Sequence, residues 1–351
     1  MLDMVSEPVL VAGVGAFGGI LLGLAARLGR FCTLGAIEDH FFGGSSRRAL
    51  MWVLAIGIAV FGTFTLSALG YLRLEDTLYL ARGWNPLACC LGGLAFGYGM
   101  ALSGNCGYGA LARLGGGDLR AFVIVLVMGI SAYAVLGGPF AALRMALFPV
   151  DPAPAHAPGF AHAVAGVSGL SVEIAGLAIG LAFVAAALAS GPLRREPGSI
   201  LWAVAVGLAI ASGWAGTFWV AENGFAATRI VSHSFSAPIG ESLIYFMTAY
   251  GNSVGFGTGS VAGVIVGAFA GSVIKGHFRW EACEDPRELG RQMLGAALMG
   301  AGAVIAVGCS VGQGLSGFSV LAFSAPLTLA AIVLGAVIGL RQLLVGFARA
   351  A

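Results

Sequence analysis

The chain contains eight apolar intervals without a charged residue, and each of them holds at least 19 positions. A helix that crosses the hydrocarbon core of a bilayer needs about 20 apolar residues. Only 10% of the 351 residues are charged, whereas soluble domains carry roughly 25%. The pattern predicts an all-α polytopic membrane protein. The intervals are 8–26, 49–72, 83–112, 121–143, 174–193, 197–221, 242–274 and 292–340.

The last interval is too long for one helix. It comprises 49 positions, and a glycine-rich stretch at 308–317 divides it. We therefore expect two helices there, which gives about nine spanning helices in total. The interval 83–112 ends similarly, in a glycine-rich loop around Cys106. A bilayer tolerates non-helical backbone only where protein or a water-filled path surrounds it, so both breaks predict a translocation site.

The basic residues predict the orientation of the chain. Cytoplasmic loops of membrane proteins are enriched in Lys and Arg. With the N-terminus outside, alternation of the spans places 14 of the 18 basic residues in the cytoplasm. The sequence therefore predicts an external N-terminus and a cytoplasmic C-terminus. The four basic residues left outside are Arg73, Arg82, Arg144 and Arg229.

An internal repeat is indicated when the chain is shifted by 203 positions. Cys106 then meets Cys309, four glycines of the same block meet glycines, and Glu38 meets Glu241. Each half holds four spans and one further helix connects them, so the second half enters the membrane from the opposite face, as in inverted-repeat transporters. We expect one transport domain over 1–351. Its parts are a first repeat at about 8–148, a linker and connecting helix at 149–193, and a second repeat at 197–347.

The two glycine-rich loops have the composition of an anion site. Glycine allows backbone N–H groups to approach a ligand closely at the ends of half-helices. A thiol adds a weak, polarisable S–H donor without adding charge. The loops therefore predict a path for an anion with a soft atom, although close helix packing also uses glycine and small buried residues. The candidate path residues are Cys106, Cys309, Asn105, Gly104, Gly107, Gly308 and Ser310.

A second pair of segments, 29–39 and 232–241, also meets at the 203-residue shift, and both can begin short helices. Cys32 in the first segment either lines the path or packs. The acids Glu38 and Glu241 stand near helix starts, where they stabilise the helix dipole or take part in proton coupling. The residues expected to flank the path are Arg30, Thr33, Glu38, His233, Ser236 and Glu241.

The remaining polar residues indicate no other chemistry. We expect Cys89, Cys90 and Cys283 to be structural, and His156 and His162 to be solvated in a proline-rich external linker. No CxxC motif or Cys/His cluster has metal-ligand spacing, so we expect no metal and no cofactor. No Ser/His/Asp arrangement or catalytic carboxylate pair stands out, which argues against an enzyme. We expect no nucleic-acid partner.

At these residues the chain resembles the YeeE/YedE family of bacterial membrane proteins, also called the sulfur transport domain family. The resemblance runs from Phe31-Cys32 through the Gly104–Gly107 loop to Gly308-Cys309. It implies thiosulfate uptake across the bacterial inner membrane through nine spans with short re-entrant helices. It also implies that Cys32, Cys106 and Cys309 pass the anion on by S–H hydrogen bonds, and that a cytoplasmic TusA-like sulfurtransferase is a partner.

The charge of thiosulfate limits the mechanism. Moving a dianion into a cell that is negative inside costs roughly 4.6 kcal/mol per 100 mV. Because the chain offers few buried acids for a proton relay, the sequence favours a channel-like path. Cytoplasmic sulfur chemistry would then consume the anion that arrives. The alternatives are another sulfur or selenium compound as substrate, and a non-transporting scaffold for a sulfurtransferase.

Overall fold

The computed structural model describes residues 6–150, 157–225, 228–282 and 285–350, with side chains as far as residue 345. Within these ranges the chain forms helices and loops, and the only β pairing consists of three isolated bridges. The protein is an all-α, multi-pass membrane protein, which confirms the predicted class. His156 and Cys283 lie outside the described residues.

The first half contains six helices. They are α1 (Glu7–Leu28), α2 (Thr33–Phe41), α3 (Arg47–Ala68), α4 (Pro86–Ser103), α5 (Gly107–Gly115) and α6 (Leu119–Leu136), with a 3-10 turn at Leu74–Asp76 before α4. The middle of the chain holds α7 (Ala141–Leu147), α8 (Phe160–Ser168), α9 (Val172–Ala189) and α10 (Gly191–Arg194).

The second half contains α11 (Pro197–Asn223), α12 (Ala237–Thr248), α13 (Phe256–Ile274), α14 (Pro286–Ile305) and α15 (Ser324–Ala350). Between α14 and α15, residues 310–319 form a short helix that is π-helical at Gly312–Gly317. We call this short helix the π segment.

Eight parts of the described chain are long and apolar enough to cross a membrane. They are α1 with α2, α3, α4 with α5, α6, α9, α11, α13 and α15. The 20-residue α14 carries Arg287, Glu288 and Arg291 in its first two turns, so it is less apolar than the others. The predicted number of about nine spans stays a prediction.

Some predicted boundaries are confirmed and others are wrong. The break near Cys106 is present between α4 and α5, and α14 ends before 308–317, although most of that stretch forms the helical π segment. The interval 242–274 is not one helix, since α12 ends at Thr248 and α13 begins at Phe256. Residues 249–255 contain Gly251, Asn252 and Gly255, which favour turns but carry no charge. The linker also contains the short helix α8, which composition did not predict.

Glycines allow the long helices to pack at backbone distance. A Cβ atom at Gly15 of α1 would lie 2.2 Å from the carbonyl oxygen of Phe256 on α13. A Cβ at Gly97 of α4 would lie 2.0 Å from the carbonyl oxygen of Ile332 on α15. Small residues at helix crossings are widely used in membranes. Close packing therefore accounts for much of the glycine outside the two loops.

Several long helices of one half pack on helices of the other half, and these pairs are equivalent under the predicted repeat. Helix α1 packs on α13 and α11 packs on α3, while α4 packs on α15 and α14 packs on α6. Likewise α2 contacts α3, and α12 contacts α13. The internal repeat stays a prediction, and this exchange supports it.

Candidate functional site

Four short helices begin close together, and a polar or thiol side chain stands at the start of each. Cys32 is the N-cap of α2, Cys106 of α5 and Ser236 of α12, and Cys309 immediately precedes the π segment. Each helix N-terminus carries roughly half an elementary positive charge from aligned peptide dipoles. Among the described residues, the buried polar side chains include no Lys or Arg. These helix starts therefore supply positive potential from the backbone.

Two of the thiols are bonded alike. The Cys106 sulfur accepts a hydrogen bond from the backbone N–H of Gly109 at 3.4 Å, and the Cys309 sulfur accepts one from Gly312 at 3.3 Å. Cys309 also accepts from the backbone N–H of Phe235 at 3.4 Å. Both thiols are buried, at 0% and 2% exposure. Because the sulfur lone pairs accept these bonds, each S–H remains able to donate to a ligand.

Hydroxyl groups connect the helix starts. The Thr33 hydroxyl donates to the Ser310 hydroxyl at 3.1 Å and lies 3.9 Å from the Cys106 sulfur. The Ser234 hydroxyl lies 3.8 Å from the Cys309 sulfur. We call Cys106, Cys309, Thr33, Ser310 and Ser234 the thiol centre. The half-buried Cys32 is within electrostatic range of Cys106.

Two buried side chains beside the thiol centre have unused hydrogen-bonding atoms. Asn105 is 4% exposed and Ser236 is 2% exposed. Neither the Asn105 Nδ2 nor the Ser236 Oγ has a hydrogen-bond partner in the described part of the chain. An unpaired buried polar group costs about 1–3 kcal/mol, so such groups usually meet a ligand or water. Both atoms are therefore candidates for contact with a passing anion.

Two glycines of the first loop are needed for its shape. Gly104 has φ = +71°, the left-handed conformation that ends α4. A Cβ on Gly107 would lie 2.5 Å from the Met128 side chain and 3.4 Å from the carbonyl oxygen of Phe235. The first glycine turns the chain, and the second brings the start of α5 against the loop before α12.

A cavity of about 630 Å³ leads to the thiol centre. Ser234, Ser236 and Gly308 line it at that end. Arg82, Arg144 and Arg229 line it as well, and the first two also line a neighbouring cavity of about 610 Å³. We call the 630 Å³ cavity the arginine vestibule. These are three of the four basic residues that the charge distribution places outside the cell.

The residues expected to flank the path do not form one group. Thr33 belongs to the thiol centre, while Ser236 and Glu241 line the vestibule. Arg30 and Glu38 are exposed and line neither cavity.

His233 is fully buried and does not line the vestibule. Its Nδ1 lies 2.6 Å from the Ser260 hydroxyl, and its ring occupies space left free by Gly18. Its carbonyl oxygen accepts from Ser316 of the π segment. His233 therefore holds the loop before α12 in position.

Several residues of the site escaped the sequence analysis. Ser234 and the N–H groups of Phe235 and Gly312 gather around Cys309, and no motif marks them. Arg82, Arg144 and Arg229 did carry a signal, since they were exceptions to the cytoplasmic placement of basic residues. Isolated basic residues on the predicted external side are therefore candidates for anion contact.

Comparison with known proteins identifies the family. Residues 28–338 match the family described as Sulphur transport. The chain belongs to the sulphur transport family. This family contains transport proteins, so the chain is a transporter and not an enzyme.

Two curated relatives extend over nearly the whole chain. The thiosulfate transporter TsuA of Spirochaeta thermophila is 25% identical over 330 residues, which cover 92% of this chain and 96% of that protein. The thiosulfate transporter TsuA of Escherichia coli is 27% identical over 342 residues, with 92% and 91% covered. Both similarities therefore extend over most of the chain.

Proposed function

We propose that this member of the sulphur transport family takes up thiosulfate across the bacterial inner membrane. The path runs from the arginine vestibule past Cys309 and Cys106 to Cys32 on the cytoplasmic side. One observation carries the proposal: two buried thiols at helix starts lie at one hydroxyl-linked point, and a cavity lined by arginines leads to it. The names of the two relatives supply the substrate.

The chemistry of the thiol centre suits this anion. Thiosulfate has a soft terminal sulfur and hard oxygens. The S–H groups of Cys106 and Cys309 donate to the sulfur, while the hydroxyls and helix starts stabilise the oxygens. Since no Lys or Arg is buried in the described chain, the anion is not held by a fixed ion pair. Conduction requires binding that is weak enough to release the ion.

Inward transport of thiosulfate needs a process that removes it from the cytoplasm. Inward movement of a dianion opposes the membrane potential by roughly 4.6 kcal/mol per 100 mV. Consumption of thiosulfate by a cytoplasmic sulfurtransferase of the TusA type keeps the internal concentration low. Such a protein is the partner we propose.

The test is uptake of radiolabelled thiosulfate into liposomes that contain the purified protein. Native protein is compared with Cys106→Ser, which keeps the shape of the side chain but replaces the soft donor with a hard one. Cys90→Ser on α4 is the matched control, because Cys90 is absent from the thiol centre. We expect at least a tenfold loss for Cys106→Ser and native uptake for Cys90→Ser. Equal uptake by all three proteins would refute the thiol path.

A competition experiment tests the substrate class. Sulfate has the same charge as thiosulfate but exposes no sulfur atom. Unlabelled thiosulfate should therefore suppress labelled uptake at concentrations where sulfate has little effect. Equal suppression by the two anions would show that the path recognises charge alone.

A further inference from the structure

Glu241 places a carboxyl group in the arginine vestibule. It is the fifth residue of α12, and its side chain is exposed to the cavity that Arg82, Arg144 and Arg229 line. Its charge interacts with that of Arg229, and within the described chain it forms no hydrogen bond or ion pair. A carboxylate at this position faces the route that an anion takes.

The other carboxyl group of the vestibule is held differently. Glu7 also lines the cavity, and its Oε1 accepts a hydrogen bond from the backbone N–H of Phe225 at 2.6 Å. This bond occupies one of the two Glu7 carboxyl oxygens. Glu241 has no such donor. The two carboxyl groups of the vestibule therefore differ in their contacts with the protein.

Apart from Glu7, the charged or titratable groups near Glu241 are phenols and guanidinium groups. The vestibule lining contributes Tyr79 and the three arginines. Helix α6, which packs on α12, contributes Tyr133. From α13 the nearest residue is Gly257, whose Cβ would lie 3.3 Å from the Glu241 carboxylate, and α14 contributes Ala303 and Val304. Phenols and guanidinium groups keep their protonation states between about pH 5 and 8.

A proton on Glu241 brings the formal charge of the lining to the magnitude of a dianion. Three arginines and two carboxylates give the described lining a net charge of +1. With a proton on Glu241 the net charge is +2, which equals the magnitude of the charge on thiosulfate. A bound dianion would repel an ionised Glu241 in the same cavity, and a proton removes that repulsion. Anion binding and proton binding therefore favour each other, and such coupling is reciprocal.

We propose that Glu241 is a proton-binding site linked to anion capture, so that the vestibule binds thiosulfate together with a proton. This inference rests on the proposed function, because it takes thiosulfate as the anion. It assigns to Glu241 a role in substrate affinity, where the sequence left a helix-start role and proton coupling open. Acidic conditions outside the cell then strengthen capture.

The test is the affinity of purified protein for thiosulfate, measured by isothermal titration calorimetry between pH 5.5 and 8. We expect the native Kd to decrease about three- to tenfold toward pH 5.5. The heat of binding should also depend on the ionisation enthalpy of the buffer, since protons are taken up. Glu241→Gln should bind with the low-pH affinity at every pH and take up no proton. Glu241→Asp should retain both effects.

Glu75→Gln is the matched control, because Glu75 lies in the loop before α4 at the same end of the protein and does not line the vestibule. It should behave like the native protein. Melting temperatures of all variants report whether they fold. Native binding that is independent of pH, or an equal pH dependence in Glu241→Gln, would overturn the proton site while leaving the proposed function intact. Absence of thiosulfate binding at every pH would refute both proposals.

Discussion

The Thr33 hydroxyl donates a hydrogen bond of 3.1 Å to the Ser310 hydroxyl, across 277 positions of the chain. Thr33 begins α2 and Ser310 begins the π segment, so this bond joins helix starts from the two halves. The same Thr33 hydroxyl lies 3.9 Å from the Cys106 sulfur. Both hydroxyl residues are buried. The bond therefore fixes the distance between the Cys106 and Cys309 loops.

Loss of the Thr33 hydroxyl should impair transport. Thr33→Val keeps the volume of the side chain but leaves the Ser310 hydroxyl without its donor, at a cost of about 1–3 kcal/mol. We expect a lower melting temperature and uptake reduced about fivefold or more. Thr65→Val is the control, because the Thr65 hydroxyl bonds only the carbonyl oxygen of Phe61 within α3. Unchanged uptake by Thr33→Val would show that the bond does not shape the path.

Neutralising an arginine of the vestibule should weaken capture. Arg144 lines both cavities, so Arg144→Gln removes a positive charge from the entrance. We expect a higher KM for thiosulfate uptake with little change in maximal rate. High salt should reduce the difference from native protein, since salt screens exposed charges. Arg73→Gln, on the same predicted face but paired with Glu222, should have a native KM, and an equal effect of both variants would contradict a local role.

Gly104 should tolerate asparagine better than valine. Its φ of +71° lies in the left-handed region, which costs most residues about 1–2 kcal/mol. Asparagine adopts this conformation more readily, and no atom lies within 4 Å of the added Cβ. We expect Gly104→Asn to retain most uptake and stability, while Gly104→Val loses both. Uptake assays and thermal unfolding in detergent measure the difference, and equal behaviour of the two variants would argue against backbone strain.

Gly97 should not tolerate an added methyl group, because it lies where α4 contacts α15. Gly97→Ala places a Cβ 2.0 Å from the Ile332 carbonyl oxygen, so α4 and α15 must separate. Overpacking of this kind costs about 1–3 kcal/mol. Gly13→Ala in α1 is the control, since nothing lies within 4 Å of its Cβ. We expect a clear decrease in melting temperature for Gly97→Ala alone.

Apolar length and glycine content predicted much of the helical order. Interruptions near Cys106 and at 308–317 were expected because charge-free runs contained clustered glycines, but the helical form of the π segment was not. The turn between α12 and α13 was missed, although Gly251 and Asn252 mark it, because the interval 242–274 contains no charged residue. A break without a charge is visible only through the conformational preferences of its backbone.

The sequence by itself determined that the chain spans a membrane and where its cysteine loops interrupt the helices. It also singled out the few basic residues that are predicted to lie outside the cytoplasm. These properties depend on local composition, because a bilayer selects for apolar length and excludes charge. Only the tertiary structure decided that Thr33 meets Ser310, that Phe235 donates to Cys309, and that three distant arginines share one cavity. Such contacts depend on how helices from the two halves pack together, and residue types at one position do not encode which distant backbone lies opposite.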